Sequence, residues 1–300
     1  MPLLVVGSVG LDSIETPHGK VEEVLGGSAV YFSWAANFFT PVRLVGVVGN
    51  DFPKHYRELL SKRSIDTAGL KELEGKTFRW RGRYQGTMHS ATTLSVELNV
   101  FGQYEPRIPE TFRDSRFVFL ANGLPSLQQR VLEQMKGPEF VAADTMNHWI
   151  NEKKAELLEV LKRIDALILN DEEARQLTGE SNLIKAARRL QAIGPKYIII
   201  KKGEHGAVLT TPEGFFLMPG FPTENVKDPT GAGDSFAGGL MGYLAKKKVV
   251  TEGTLKQAIV YGTIIASFNV EDFSIQQLQR ITLEDIEERR RKFEAMVRFH

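Results

Sequence analysis

Asp228-Pro229-Thr230-Gly231-Ala232-Gly233-Asp234 runs directly into an apolar, small-residue stretch over 235–245. The pair reads as a tight loop opening onto the N-terminus of a helix over 234–245. The first turn of a helix carries N–H groups without intrahelical acceptors, and the helix dipole adds partial positive charge, so an anion is favoured there. Gly231 and Gly233 let the backbone approach a phosphate. A carboxylate at the same point, Asp234, is electrostatically awkward unless chemistry uses it. The combination suits phosphoryl transfer: Gly231, Ala232 and Gly233 offer amides to the transferring group, and Asp234 takes the proton of an accepting hydroxyl. The plain alternative is an Asp/Thr-capped helix after a flexible loop.

Outward from this loop, strands and helices alternate. Apolar runs at 3–7, 43–48, 117–121, 140–143, 166–170 and 197–201 read as buried strands. Helical stretches are expected at 28–39, 52–62, 127–135, 152–163, 171–177 and 183–192, a hairpin at 207–211 and 214–218, and closing helices at 234–245, 254–268 and 283–297. This order predicts an α/β fold with a doubly wound, mostly parallel sheet flanked by helices. Between 76 and 101 the pattern changes to alternating β-branched and aromatic residues, as in Phe78-Arg-Trp80-Arg and Thr92-Thr-Leu-Ser-Val-Glu-Leu. Two or more antiparallel strands are expected there as an inserted β lid, approximately 76–104 with a contribution from 12–24. The whole of 1–300 reads as one domain.

Composition narrows the function. The 300 residues are 42% hydrophobic and 25% charged, with a formal net charge of +1. No global field argues for nucleic acid or an anionic membrane. There are no cysteines, which removes disulfides, thiolate catalysis and cysteine-based metal sites. The N-terminal segment lacks a basic leader, and no apolar run approaches the ~18 residues of a membrane span, so cytoplasm is the expected compartment. Gly75-Lys76-Thr77 ends like a Walker A loop, but position 70, where its first glycine belongs, is Leu70. Gly231-x-Gly233 lacks the third glycine of a dinucleotide fingerprint, since position 236 is Phe236. Neither a Gly-x-Ser-x-Gly elbow nor a His-Glu-x-x-His helix occurs.

Other motifs fall at predicted strand ends, where open α/β sheets bind ligands. Gly26-Gly27 precedes the first helix, with Asp12 expected at the end of the first strand and able to accept hydrogen bonds from vicinal hydroxyls; the alternative is a turn capped by Ser28. Asn170-Asp-Glu-Glu173 makes a good N-cap with acids in the first turn. It could equally hold water around Mg²⁺, which binds few protein oxygens and keeps several waters. Lys201-Lys202-Gly203-Glu204-His205-Gly206 follows the strand containing Ile198-Ile-Ile200 and reads as a loop lying against a nucleotide, or as a hairpin turn. Asp144-Thr-Met-Asn147-His-Trp149 also follows a strand, with no specific chemistry attached. Arg289–Lys292 reads as a solvated helix face.

Together these residues resemble the ribokinase (PfkB) family of sugar and nucleoside kinases over nearly the whole chain. The 228–234 motif is the most specific part; Gly26-Gly27, Asn170…Glu173 and Lys202-Gly203…Gly206 stand in the family's order. The resemblance implies MgATP as donor and an alcohol as acceptor. It implies Asp234 as catalytic base, the 231–233 loop with Thr230 at the transferred group, and Asn170 and Glu173 organising Mg²⁺ through water. Lys202, Gly203, Gly206 and Asn269 would border the nucleotide, and Asp12, Gly26, Gly27 and Tyr31 the acceptor. Two departures stand out. Tyr31 occupies a position where sugar-specific members carry asparagine, and Val270-Glu-Asp-Phe-Ser274 lacks the glycine-containing loop of members activated by monovalent cations, which leaves such activation open.

The expected activity is phosphorylation of a primary hydroxyl on a ribonucleoside or sugar. Tyr31 and the lid aromatics favour a nucleoside, because a base offers a face to stack on. A kinase for a ribose-like or keto-sugar, or a non-catalytic nucleotide- or sugar-binding regulator on the same fold, are the alternatives. The lid, with exposed strand edges, is expected to pair with a second copy.

Overall fold

A computed structural model describes residues 2–298. The most apolar runs become the strands of a nine-stranded sheet: β1 (Leu3–Val6), β4 (Val42–Gly49), β5 (Ile65–Leu73), β8 (Phe117–Leu120), β9 (Phe140–Asp144), β10 (Ala166–Asn170), β11 (Tyr197–Lys201), β12 (Ala207–Thr210) and β13 (Phe215–Met218). Their order is β13-β12-β11-β10-β9-β8-β1-β4-β5. Pairing is parallel from β11 to β5 and antiparallel at β11–β12 and β12–β13.

Helices cover both faces, so each inner strand serves two cores. Leu3, Val5, Ile168 and Ile199 pack on one side, under α1 (Ser28–Ala36), α2 (Lys54–Ser61), α8 (Ala232–Lys247), α9 (Glu252–Asn269), α10 (Gln276–Arg280) and α11 (Leu283–Val297). Leu4, Leu167, Ile198 and Ile200 pack on the other. There they meet α3 (Pro125–Gln134), α4 (Asn147–Glu152), α5 (Lys154–Leu161), α6 (Asp171–Thr178) and α7 (Leu183–Gln191). Burial on both faces explains why these strands read as continuous apolar runs. The chain builds outward from β1 in two directions, so the strand order reverses between β1 and β8, a position where such sheets open a crevice.

The lid is a second, four-stranded sheet of β2 (Gly10–Thr16), β3 (Gly19–Gly26), β6 (Phe78–Arg83) and β7 (Thr92–Glu97), in the order β3-β2-β6-β7. Its two hairpins are antiparallel, but β2 and β6 join in parallel, unlike the wholly antiparallel insertion expected. Asp12 therefore lies inside a lid strand rather than at the end of the first main-sheet strand. β5 was not anticipated: it is an edge strand in which Asp66, Lys71 and Glu72 face solvent, which breaks the apolar run. The helix expected over 152–163 is divided at Lys153, whose φ of −135° and ψ of 29° end α4 and start α5. No helix among the described residues is long and apolar enough to cross a membrane.

Candidate active site

The 228–234 loop is braced from inside. Asp228 is fully buried; its Oδ1 accepts from the Thr230 amide at 2.9 Å and its Oδ2 from the Ser274 amide at 3.4 Å. Asn269, at the end of α9, donates from Nδ2 to the Thr230 carbonyl at 2.8 Å, and its Oδ1 accepts from the Ser235 hydroxyl at 3.0 Å. Gly231 has φ 74° and sits against the Tyr31 ring, into which a side chain at 231 would run. Only glycine meets both demands. Gly231 begins α8 without a side-chain cap. The Ala232 amide, expected from sequence to face an anion, instead donates to the Pro229 carbonyl at 3.1 Å, and the Asp234 amide donates to its own carboxyl, which leaves the Gly233 amide as the first-turn donor of α8 without an acceptor among the described residues.

Asp234 stands in that first turn, partly buried. Desolvation pushes its carboxyl from 3.8 up to about 6, while the Lys201 charge and its own amide pull the other way. The dipole alone would keep the group fully acidic; burial outweighs it, yet the carboxyl remains mostly ionised at neutral pH.

Across from it lies Asp12, 3% exposed. Burial lifts its carboxyl to about 7, opposed by a hydrogen bond from the Gly27 amide and reinforced by Asp228 and Asp234. Gly26 lies directly beneath this carboxylate, where a Cβ would overlap it. Gly27 has φ 95° and would bring a Cβ to 2.5 Å from the Ser8 carbonyl. The Tyr31 hydroxyl donates to Asp12 Oδ2 at 3.4 Å. Tyr31 thus links the Asp12 side to the 231–233 loop, and with 1% exposure its ring has no face to offer a base.

Three neighbouring strands end at the same edge. Asn170 lies opposite Lys201 in the β10–β11 register, and Asp144 opposite Ile168 in the β9–β10 register. Asn170 and Glu173 form a capping box on α6: Asn170 Oδ1 accepts from the Glu173 amide and Glu173 Oε2 from the Asn170 amide, both at 2.8 Å. The capping reading of this motif therefore holds, and it leaves Glu173 Oε1 outside the box. Burial raises the Glu173 carboxyl, with Lys201 opposing. Asp144 is 5% exposed and its Oδ1 has no partner; burial and then Asp234 raise its carboxyl well above the usual range, with Lys201 opposing. The 202–206 loop is closed by the Lys202 amide donating to the Gly206 carbonyl at 2.7 Å. Gly203 (φ 56°) borders open space, whereas Gly206 (φ 84°) lies against the Met218 carbonyl.

The lid is down over this cleft. The Thr230 hydroxyl and the Tyr84 hydroxyl are 3.3 Å apart, Ile14 and Tyr84 pack with Phe273, and His89 Nε2 lies 2.9 Å from Glu204 Oε1 on the 202–206 loop.

The model of the pfkB family carbohydrate kinases matches residues 4–280. The chain belongs to this family. A cytidine kinase from Thermococcus kodakarensis is 33% identical over 251 residues, covering 81% of this chain and 88% of the relative. The crystal structure of a Methanocaldococcus jannaschii nucleoside kinase, described as an archaeal member of the ribokinase family, superposes with a TM-score of 0.78 at 22% identity, over 97% of this chain and 98% of that one. A putative ribokinase II from E. coli, in complex with ATP and Mg²⁺, superposes with a TM-score of 0.80 at 17% identity, over 97% and 99%. The fold is ribokinase-like, and the chain is a kinase of the pfkB family.

Within this pfkB kinase, the motifs read from sequence converge on one cleft, but with altered parts. Asn269 (1% exposed) braces the 228–234 loop from inside. Lys202 contributes backbone geometry to the 202–206 loop. Three residues not selected as site residues from sequence contribute here: Asp228 braces the loop from inside, and Asp144 and Lys201 lie at the strand ends beside Asp234. Strand parity is the signal that could have found the last two, because Phe140, Ala142 and Ile199 point to the sheet face that carries α8, and Asp144 and Lys201 continue that alternation.

Proposed function

We propose that this chain uses MgATP to phosphorylate the primary hydroxyl of a ribonucleoside. One observation carries the chemistry: a carboxylate, mostly ionised at neutral pH, stands in the same helical turn as the Gly233 amide, which no acceptor among the described residues takes. Asp234 takes the hydroxyl proton as that oxygen bonds to the terminal phosphorus and the bond to the β-phosphate breaks, releasing ADP. The Gly231 and Gly233 amides and the α8 dipole stabilise the charge spread over the transferring group, the Ala232 amide being held by the Pro229 carbonyl. Asp12, with the Gly26-Gly27 turn beside it, holds the acceptor's other hydroxyls.

The nucleoside assignment is supported by the cytidine kinase relative, which matches over most of both chains. Base stacking falls to the lid, since Tyr31 is spent on Gly231. Phe78 and Phe101 pair edge to face there, 5.6 Å apart. Mg²⁺ fits Asn170 and Glu173: the donors are oxygens, Glu173 Oε1 stands outside the capping box, and a cation that keeps several waters needs few protein ligands. Bound there, it would neutralise phosphate charge. We further propose a homodimer through the lid. β7 is an edge strand; Leu94 and Val96 are 45% and 50% exposed at alternate positions along it, and Leu98, just past its end, is 43% exposed. The cytoplasm, where MgATP is available, is the compartment that suits this reaction.

The test is ADP release with MgATP across cytidine, uridine, adenosine, inosine, ribose and fructose. Turnover of a nucleoside with kcat/KM at least tenfold above any sugar is expected. Turnover of sugars alone refutes the nucleoside assignment. ATP binding without turnover on a wider panel leaves a regulator rather than an enzyme.

A further inference from the structure

We propose that Lys201 is the residue that grips the terminal phosphoryl group of the nucleotide, and that Asp144 is the positioning residue that holds it in place. The inference rests on the phosphoryl-transfer reading of the cleft. It assigns a side-chain cation to a cleft whose own groups otherwise meet a highly charged anion with amides and acids, in addition to the Mg²⁺ that the nucleotide brings.

Alternation along the strands places Asp144, Asn170 and Lys201 side by side at the ends of β9, β10 and β11, on the face that α8 covers. The Lys201 ammonium reaches the start of that helix: a Cβ built on Gly233 would lie 2.6 Å from its Nζ. Backbone strain does not demand glycine at 233, since its φ is not in the left-handed region; a side chain there would displace the lysine head from its place over the turn. The positive charge lies over the amides that face the incoming phosphate, where it adds to the dipole. Its charge acts on Asp144, Glu173 and Asp234 alike, yet Lys201 makes no direct ion pair within 4.0 Å among the described residues. A partly buried ammonium that balances three acids and is bonded to none is free to move onto an anion.

Asp144 carries the second, independent observation. Its Oδ1 is buried without a hydrogen-bond partner, as is the neighbouring Thr145 hydroxyl oxygen. A buried carboxyl oxygen left without a partner is costly, and such atoms persist where function uses them. Asp144 faces the lysine from the strand two places away, so it opposes withdrawal of the ammonium toward solvent.

The experiment compares ADP with β,γ-imido-ATP by calorimetry, then measures kcat. ADP lacks the group that Lys201 is proposed to grip. In Lys201→Met, affinity for imido-ATP should fall about tenfold or more and kcat about 100-fold, with ADP affinity within about threefold of wild type. Lys201→Arg should recover part of both losses. In Asp144→Asn the imido-ATP preference should narrow, and the double variant should be no worse than Lys201→Met alone, as for residues acting through one contact. Wild-type kcat in Lys201→Met, or equal loss of ADP and imido-ATP, overturns the proposal. Additive effects of the two substitutions remove Asp144 from it. Should Lys201→Met fail to fold, the contrast between Lys201→Arg and Lys201→Gln decides in the same way. The binding comparison needs no acceptor, so it stands if the nucleoside assignment fails. A wild-type protein that binds neither nucleotide refutes the kinase site itself.

Discussion

Replacing Asp234 by asparagine tests the centre of the mechanism, because it keeps the shape and removes the proton acceptor. A positioned general base contributes about 10²–10⁴ in rate, so kcat should fall by that factor, which is about 3–5 kcal/mol of barrier. Stability should move the other way. Burial raises the carboxyl from 3.8 to about 6 in the folded protein, so the ionised group costs the fold something of order 3 kcal/mol at pH 7. The sign follows from linkage. As pH rises through 3.8 the unfolded chain loses this proton first, and the fold loses stability until the pH passes about 6. The neutral amide of Asp234→Asn carries no such cost. The variant should therefore melt several degrees above wild type at pH 7, with the gap closing toward pH 4. Nucleotide affinity should be equal or tighter, since a negative charge facing phosphates is gone. The assays are ADP release, calorimetry with ADP, and melting curves at pH 4 and pH 7. Wild-type kcat would remove Asp234 from the mechanism. Lost activity with a lower melting temperature at pH 7 would refute the electrostatic account and make Asp234 a structural cap.

In the wild type, kcat should fall as pH drops through about 6, because protonation of Asp234 removes the base; a rate flat from pH 8 to pH 5 contradicts the assignment. Gly231→Ala must place a methyl group in the Tyr31 ring at φ 74°, so a loss of at least 2 kcal/mol in denaturant melts is expected, with activity falling alongside. Glu173→Gln keeps an oxygen for the capping box but loses the charge; the Mg²⁺ concentration for half-maximal rate should rise about tenfold, with the melting temperature little changed. Val96→Arg should convert a dimer to monomer by light scattering at micromolar protein, and a wild type already monomeric there ends the lid-pairing proposal.

The sequence revealed the fold where burial left a pattern and concealed it where burial did not. Inner strands such as Ile198-Ile-Ile200 are covered on both faces and must be apolar throughout, so they declare themselves. β5 is exposed along one side, and β3 is exposed over much of Gly19-Lys-Val-Glu-Glu, so neither has a run to read. The parallel pairing of β2 with β6 joins segments about sixty residues apart, and no local pattern records it.

The site divides along a similar line. Motifs tied to backbone geometry, such as Gly27 and Gly231 at positive φ, were legible because few residues tolerate those conformations. Contacts between distant segments were not: Tyr31 suggested a stacking ring, and its ring instead packs beneath Gly231. The adjacent lysines 201 and 202 show what arbitrates. Residue type and motif spacing select 202, since it stands directly before Gly203. The two-residue period of the strand selects 201, because Ile199 points under α8 and its neighbour two residues on must do the same. At the end of a buried strand the pleat decides which side chain enters the cleft. The same parity run along β9 reaches Asp144, a residue to which motif and spacing attached no specific chemistry.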